Sequence, residues 1–454
     1  MKRGSYKEYL LQILRLILVA NYVERFALGL LLQEIKMDLH ASDTQLGMLT
    51  GIAFAAFYAV AGVPMARWAD SGNRIALISV TTALWSAAVG LCGAVSTYAQ
   101  LLIVRTGVAI GEAGCIPVAN SLIAENFDRR ERPRAMARYM LGSPASAVVG
   151  YLAGGWLNEV AGWRATFVVL GLPGLLLAAL ARSTLVEPRM AHGKSARGLT
   201  ASTRDLRPGG PEVTSIRSVD RVISSSERTT LLRALGTLWG NLTFRNLLAS
   251  YSLISFFGYG ITKWQPAFFT RSFGLHSGEL GTWLALILGV GGFVGVYAGG
   301  ELAVRSGANN ERLQLRAMAL AYSSCGLLSA IVYTARDLHL AMGMLALATI
   351  VGTTTLGPLF STIQTLVPEN MRATAVAFIY LVANLIGLGL GPLAAGALSD
   401  ALRPALGQES LRYALLALCP GYFWGGWHFW LASRTITRDL EQQAKAEPLA
   451  EGQT

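Results

Sequence analysis

Apolar stretches recur from one end of this chain to the other, each close to the ~20 residues that a helix needs to cross a bilayer. Such a pattern leaves few folds open, because backbone amides in hydrocarbon must find their partners inside the segment, as a helix allows. Only 14% of the 454 residues are charged, against about 25% in a soluble domain, and mean hydropathy is +0.44. The expected fold is an all-α membrane protein. Twelve transmembrane helices are read at 9–32, 45–69, 74–96, 98–125, 134–158, 162–185, 243–270, 278–304, 313–334, 338–366, 371–399 and 410–434. Nothing is left over for a large soluble domain.

Charge places these spans relative to the membrane. Arg67 and Arg74 flank the link between spans 2 and 3, Arg129, Arg130, Arg132, Arg134 and Arg138 crowd the link between 4 and 5, and Arg305, Arg312 and Arg316 mark that between 8 and 9. Links on the other side, such as Gln33–Thr44 and Ser96–Gln100, carry no such excess. Positive charge gathers on the cytoplasmic side, so both termini are expected there, in a multi-pass protein of the plasma (inner) membrane. The net charge of +11 is explained by these links and does not call for a nucleic-acid partner. Met1-Lys2-Arg3 precedes an apolar stretch carrying Glu24-Arg25, which is unlike a cleavable signal. Cys92, Cys115, Cys325 and Cys419 are scattered through apolar segments without metal-ligand spacing, so neither metal nor cofactor is expected.

Residues 187–228, rich in Ser, Arg, Gly and Pro, interrupt the apolar pattern, and Leu231–Trp239 reads as a short interfacial helix. The expected organisation is therefore a six-helix bundle at 1–186, a cytoplasmic linker at 187–240, a second six-helix bundle at 241–436 and a tail at 437–454. The two halves echo each other. Glu125-Asn126 with Arg134-Ala135 recurs as Glu369-Asn370 with Arg372-Ala373, and Gly150-Tyr151-Leu152-Ala153-Gly154-Gly155 as Gly391-Pro392-Leu393-Ala394-Ala395-Gly396. Paired halves with a binding site near the midplane are the architecture of rocking transporters.

Four ionisable residues stand deep inside spans 1 and 4. Arg105 and Glu112 are seven positions apart, so they share a helix face and lie roughly 10 Å apart along its axis. Glu24 and Arg25 interrupt the first span. A charge in mid-membrane costs at least ~2.5–3.5 kcal/mol, so these groups need partners or water. Because Glu24 and Arg25 diverge by about 100°, one is expected to face the cavity while the other reaches span 4. Two acids and two arginines are formally neutral together. A carboxylate that alternately meets and loses an arginine can take up and release a proton, and a guanidinium fork suits an anionic headgroup. Glu24 and Glu112 are thus the expected proton carriers, with the proton as coupling ion, and Arg25, Arg105, Asn21 and Tyr22 the headgroup or charge-network residues. A static staple between spans 1 and 4 is the competing reading.

Ala66-Arg67-Trp68-Ala69-Asp70-Ser71-Gly72-Asn73-Arg74 joins spans 2 and 3 with an acidic residue, a tight turn and a basic residue. In this loop the chain resembles the major facilitator superfamily, and Asp70, Arg74 and Arg67 are the expected conformational latch. Asn21-Tyr22-Val23-Glu24-Arg25-Phe26 and Arg105…Gly111-Glu112-Ala113 further resemble the spinster branch, departing from it at Glu24, where that branch usually has Asp, and at Arg74-Ile75, where it has a basic pair. The resemblance implies export of sphingosine-1-phosphate or related lysolipids, with proton coupling in some members. Rings in the second half, with Phe54, Phe57 and Tyr58 of span 2, are expected to line a greasy cleft: Phe256, Tyr259, Lys263, Trp264, Phe360, Tyr380 and Asn384. Lys263 either enters that cleft or snorkels to the interface.

The function expected is a proton-coupled secondary active transporter working by alternating access and exporting an amphiphilic lipid such as sphingosine-1-phosphate or a lysophospholipid, as a monomer among membrane lipids. Efflux of drugs or organic anions is the alternative within transport, and a lipid-modifying membrane enzyme the alternative outside it. His40, His192, His276, His339 and His428 stand at loops or span ends, which gives that enzyme no nucleophile and base.

Overall fold

The computed structural model describes residues 3–128, 130–187, 236, 238–307, 310–367 and 371–451, and those residues form helices and their links. In the first half the helices are α1 (Arg3–Leu30), α2 (Leu32–Leu39), α3 (Asp43–Thr50), α4 (Ile52–Ser71), α5 (Arg74–Cys92), α6 (Tyr98–Glu112), α7 (Cys115–Asn126), α8 (Arg132–Met140) and α9 (Gly142–Thr184). In the second half they are α10 (Leu242–Phe273), α11 (Ser277–Leu284), a π-helical stretch (Ala285–Gly291), α12 (Gly292–Gly307), α13 (Glu311–Thr334), α14 (Leu338–Thr353), α15 (Leu356–Leu366), α16 (Arg372–Leu406), α17 (Ser410–Leu418) and α18 (Pro420–Glu451). Eight stretches of the described residues are long and apolar enough to cross a membrane, and α1 with α2, bent by 60°, makes a ninth. Two of the eight, at 51 and 69 residues, have room for two crossings each, which makes eleven, and the 32-residue α10 stands where the remaining one of the twelve is expected.

Several expected spans are broken. Span 2 divides into α3 and α4 at Gly51, span 4 into α6 and α7 at Ala113-Gly114, and span 10 into α14 and α15. Spans 5 and 6 turn on Gly162, whose φ of 78° and ψ of 166° suit glycine alone. Span 1 ends at Leu30, two residues early, and α18 continues to Glu451 through the region expected as a tail. Apart from Glu187, Gly236 and residues 238–240, the expected linker and most of its interfacial helix lie outside the described residues.

Helices in hydrocarbon gain little from hiding apolar surface, so close packing through small residues decides which ones touch. On α9, a Cβ at Gly150 would stand 2.7 Å from the Val23 carbonyl of α1, and one at Gly154 would stand 2.9 Å from Ala27. On α16, a Cβ at Gly391 would meet the Phe256 carbonyl of α10 at 2.4 Å. The same device joins the halves at the end away from the basic links. There a Cβ at Gly47 would lie 2.4 Å from the Pro392 carbonyl, and one at Gly155 would lie 2.3 Å from that of Ser277. Between the halves a cavity of about 710 Å³ runs from Tyr259 and Gln265 toward Ala137, Met140 and Tyr251 near the basic end.

Gly150→Leu is expected to force α9 off α1 and cost about 1–3 kcal/mol, the usual penalty of overpacking. Gly343→Ala, in open space on α14, should leave stability unchanged. Thermal unfolding of the two variants in detergent separates them.

A buried charge network as candidate functional site

The four charges found inside apolar spans meet. Glu24 pairs with Arg105, both almost fully buried, and Arg25 pairs with Glu112, its Nε donating to Oε2 at 2.8 Å. Both neighbours on α1 therefore reach α6, which corrects the expectation that one of them would face the cavity. Arg105 and Glu112 stand two turns apart on α6, and the long arginine stems span the divergence of Glu24 and Arg25. The pairing is crossed, acid to base and base to acid, and so formally neutral.

Rings enclose the cations. The Arg25 guanidinium lies 4.6 Å from the centre of Phe54, 4.9 Å from Tyr22 and 5.4 Å from Tyr58, and Arg105 lies 5.5 Å from Phe54. Phe54 thus sits against both arginines, where a desolvated cation–π contact is worth ~2 kcal/mol. Asn21 on the same helix turns its amide toward Cys115, 3.9 Å away. Each acid uses only one oxygen on its arginine. Glu24 Oε1 and Glu112 Oε1 are buried without a donor, as is Arg105 Nε without an acceptor.

The second half touches this network through Lys263, whose Nζ donates to the Arg25 carbonyl at 3.3 Å. Lys263 thus faces inward and does not snorkel. One turn earlier Tyr259 lines the cavity and donates to Asn384 Oδ1 at 3.4 Å, while Asn384 Nδ2 bonds the Tyr380 carbonyl. Phe360 stacks on Tyr380 with centres 4.7 Å apart, and Tyr251, a cavity residue that sequence reasoning missed, packs edge-on to both. Two expected lining residues do other work. Trp264 is fully buried, its Nε1 donating to the Pro392 carbonyl at 2.9 Å, so it packs α10 on α16 and is no cavity wall. Phe54 is taken by the arginines. Phe256 packs edge-on against Phe257, and Phe57 is exposed.

Of the expected latch, Arg74 is fully buried inside the first half. Its Nε and Nη2 donate to Glu187 Oε1 at 3.1 and 2.5 Å, its Nη1 to Ser121 Oγ at 3.1 Å, and it pairs with Glu125. Its backbone N–H also bonds Glu187 Oε2 at 2.7 Å, so Glu187 caps α5. Arg74 is accordingly a staple among α5, α7 and the end of α9. Arg67 is exposed, and the Asp70 side chain lies outside the described residues. Burial alone would raise the Glu187 carboxyl, but Arg74 and the N–H groups of Arg74 and Ile75 hold it below the usual carboxylate range.

A second ionic cluster, missed by sequence reasoning, joins the halves at the far end. Arg271 of α10 grips Asp43 of α3 with both nitrogens at 2.7 and 2.8 Å, and Lys36 adds a contact of 2.5 Å. The link that holds Lys36 and Asp43 has a single basic residue among its acids, so a count of basic residues passes over it.

A central cavity between two helical halves, with a buried, cross-paired charge network in the first half, is the arrangement of a solute carrier. The chain belongs to the Major Facilitator Superfamily, whose model matches residues 14–392. It is 33% identical to an MFS-type efflux pump of Mycolicibacterium smegmatis, over 95% of this chain and 94% of that one. A bacterial homolog of the human lysosomal transporter Spinster, crystallised in an inward-facing and unoccupied conformation, has the same fold, with TM-score 0.78, 27% identity and 96% and 98% coverage. The sphingosine-1-phosphate transporter SPNS2 of Xenopus tropicalis is 23% identical over 95% of this chain and 83% of its own. The protein is thus a membrane transporter of that superfamily, similar to the spinster proteins, and not a lipid-modifying enzyme.

Removing one member of a buried pair strands the other, at about 3–5 kcal/mol. Arg105→Met should therefore unfold well below the parent, and Glu24→Leu combined with it should recover most of the loss in a thermal melt. Because the Glu187 carboxyl is depressed, its contribution to stability is full above the ordinary glutamate range and is lost as pH falls through the lowered value. Melting of the parent should thus drop toward that of Glu187→Gln only in strong acid, with the gap between them constant from pH 6 to pH 8.

Proposed function

We propose that the protein is a proton-coupled exporter working by alternating access, and that its substrate is an amphiphile with an anionic head. The observation that carries the reading is the pair Glu24 and Glu112, buried in mid-span between α1 and α6 with one oxygen each lacking a donor. A proton is the smallest group that supplies such a donor. As the halves rock, α10 with Lys263 moves against α1, Arg25 is drawn from Glu112, and a buried carboxylate without its cation binds a proton. Re-forming the pair expels it. Glu112 is the main carrier in this scheme and Glu24 its partner.

Arg25, whose neighbour Phe26 lines the cavity, and Lys263, one turn beyond Tyr259, supply positive charge behind its wall, while Tyr259, Tyr251 and neighbouring apolar side chains supply a surface for a hydrocarbon tail. Charge behind the wall and rings along it suit an anionic lysolipid, and the sphingosine-1-phosphate transporter among the relatives supports that class. The basic end is cytoplasmic in this proposal, with both termini there, in the cytoplasmic membrane, and residues 1–186 and 241–436 are the rocking bodies of a monomer. A second reading, efflux of drugs or organic anions, is favoured by the 33% identity to the mycobacterial efflux pump.

In proteoliposomes carrying lysolipids or dye substrates, Glu112→Gln is expected to abolish accumulation driven by a pH gradient, by tenfold or more, while exchange of internal for external substrate survives. Gradient-driven accumulation at the parental rate would overturn the proton assignment. Transport of dyes with no competition from lysolipids would favour the efflux reading.

A further inference from the structure

The repeat between the halves extends beyond its glycines. Three and four residues after Gly155 stand Asn158 and Glu159, and three and four after Gly396 stand Ser399 and Asp400. Each pair reaches across to the start of a helix in the other half. Asp400 at the end of α16 accepts from the backbone N–H groups of Asp43 and Thr44 at 3.1 and 2.7 Å and from the Thr44 hydroxyl at 2.7 Å. Glu159 of α9 accepts from the N–H of Gly278 at 2.8 Å. The preceding residues match too, since Ser399 donates to Asp43 Oδ2 at 2.6 Å and Asn158 to Ser277 Oγ at 2.9 Å.

From this geometry we infer that Asp400 and Glu159 are a symmetry-related pair of acid clamps that close the end of the transporter away from the basic links, each capping a helix of the opposite half. The first N–H groups of a helix have no partner within it, and a carboxylate there satisfies both hydrogen bonding and the helix dipole. The local sequence leaves these donors to the clamps. On α3 the capping box of Ser42 and Gln45 serves the N–H of Gln45 and leaves those of Asp43 and Thr44, which Asp400 takes. On α11 the residue at the cap position, His276, offers no side-chain bond, so Glu159 supplies the side-chain cap. Separating the halves at this end uncovers both helix starts together.

The two clamps are unequal. Asp43, next to Asp400, also carries Arg271 and Lys36, whereas its counterpart Ser277 carries no charge. The α3–α16 side is therefore the tighter one, and the α9–α11 side yields first.

This inference rests on the alternating access proposed above, and its test reads conformation and not transport. Spin labels at Ala161→Cys and Arg336→Cys, exposed links of the two halves at this end, report its opening in full-length protein in nanodiscs, with the four native cysteines replaced. Losing a cap shifts an equilibrium by about tenfold. Asp400→Asn and Glu159→Gln are each expected to increase the long-distance population several-fold, Asp400→Asn more, with the double variant approaching the product. Asp400→Glu should restore much of the short distance. Unchanged distances in both variants with a lowered melting temperature would overturn the clamps and leave two ordinary caps. A parent that keeps one short distance, while Asp400→Asn does too, under every gradient and with lysolipid added, would instead count against alternating access.

Discussion

The cost of holding charge in hydrocarbon organises the middle of this protein. Two glutamates and two arginines lie nearly dry between α1 and α6, and what makes their burial tolerable is cross-pairing backed by aromatic faces. The arrangement fixes more than those two helices. Phe54 brings α4 against both guanidinium groups, and Lys263 brings α10 against the backbone of α1. A change in the charge of one acid is thus felt by at least four helices, because each arginine is held both by a carboxylate and by ring faces, and Phe54 is shared between the two.

Close contact through glycine and polar closure divide the labour at the two ends. Toward the basic links the halves leave a cavity, while at the other end backbone meets backbone at Gly47, Gly155 and Gly281. Van der Waals contact between small residues is short-ranged and falls away once helices part by an ångström or two. Carboxylate bonds to N–H groups reach a little farther and have direction. The sealed end therefore has a sharp closed state, set by glycine contact and oriented by Asp400 and Glu159.

Which of these features could be read along the chain depends on how far apart the partners lie. Glu24, Arg25, Arg105 and Glu112 stand out because hydrocarbon spans seldom hold charge, and the seven-residue spacing on α6 already puts two of them on one face. Their pairing was beyond reach, since nothing local says whether Glu24 or Arg25 turns toward which arginine or acid. Arg74 finds Glu187 more than a hundred residues downstream, and Arg271 finds Asp43 at a separation of 228. Trp264 belongs to the same class. Its ring meets α16 at a site where Gly396 leaves room, which is a property of two helices and not of one. Span number and order followed from apolar length, whereas the breaks at Gly51 and Gly114 answer to packing against Leu388, Gly389 and Thr81 in distant helices or turns.

Lys263 has a consequence for the charge of the whole site. It bonds a backbone carbonyl, which is neutral, so its own positive charge has no dedicated counter-ion, and it feels Glu24, Glu112, Arg25 and Arg105 together. With the lysine protonated, three cations face two carboxylates, a formal excess of one positive charge. Electroneutrality in a medium of low permittivity is then restored by a single extra negative charge or by the loss of one proton, so the ionic balance of the whole group turns on one lysine contributed by the opposite half.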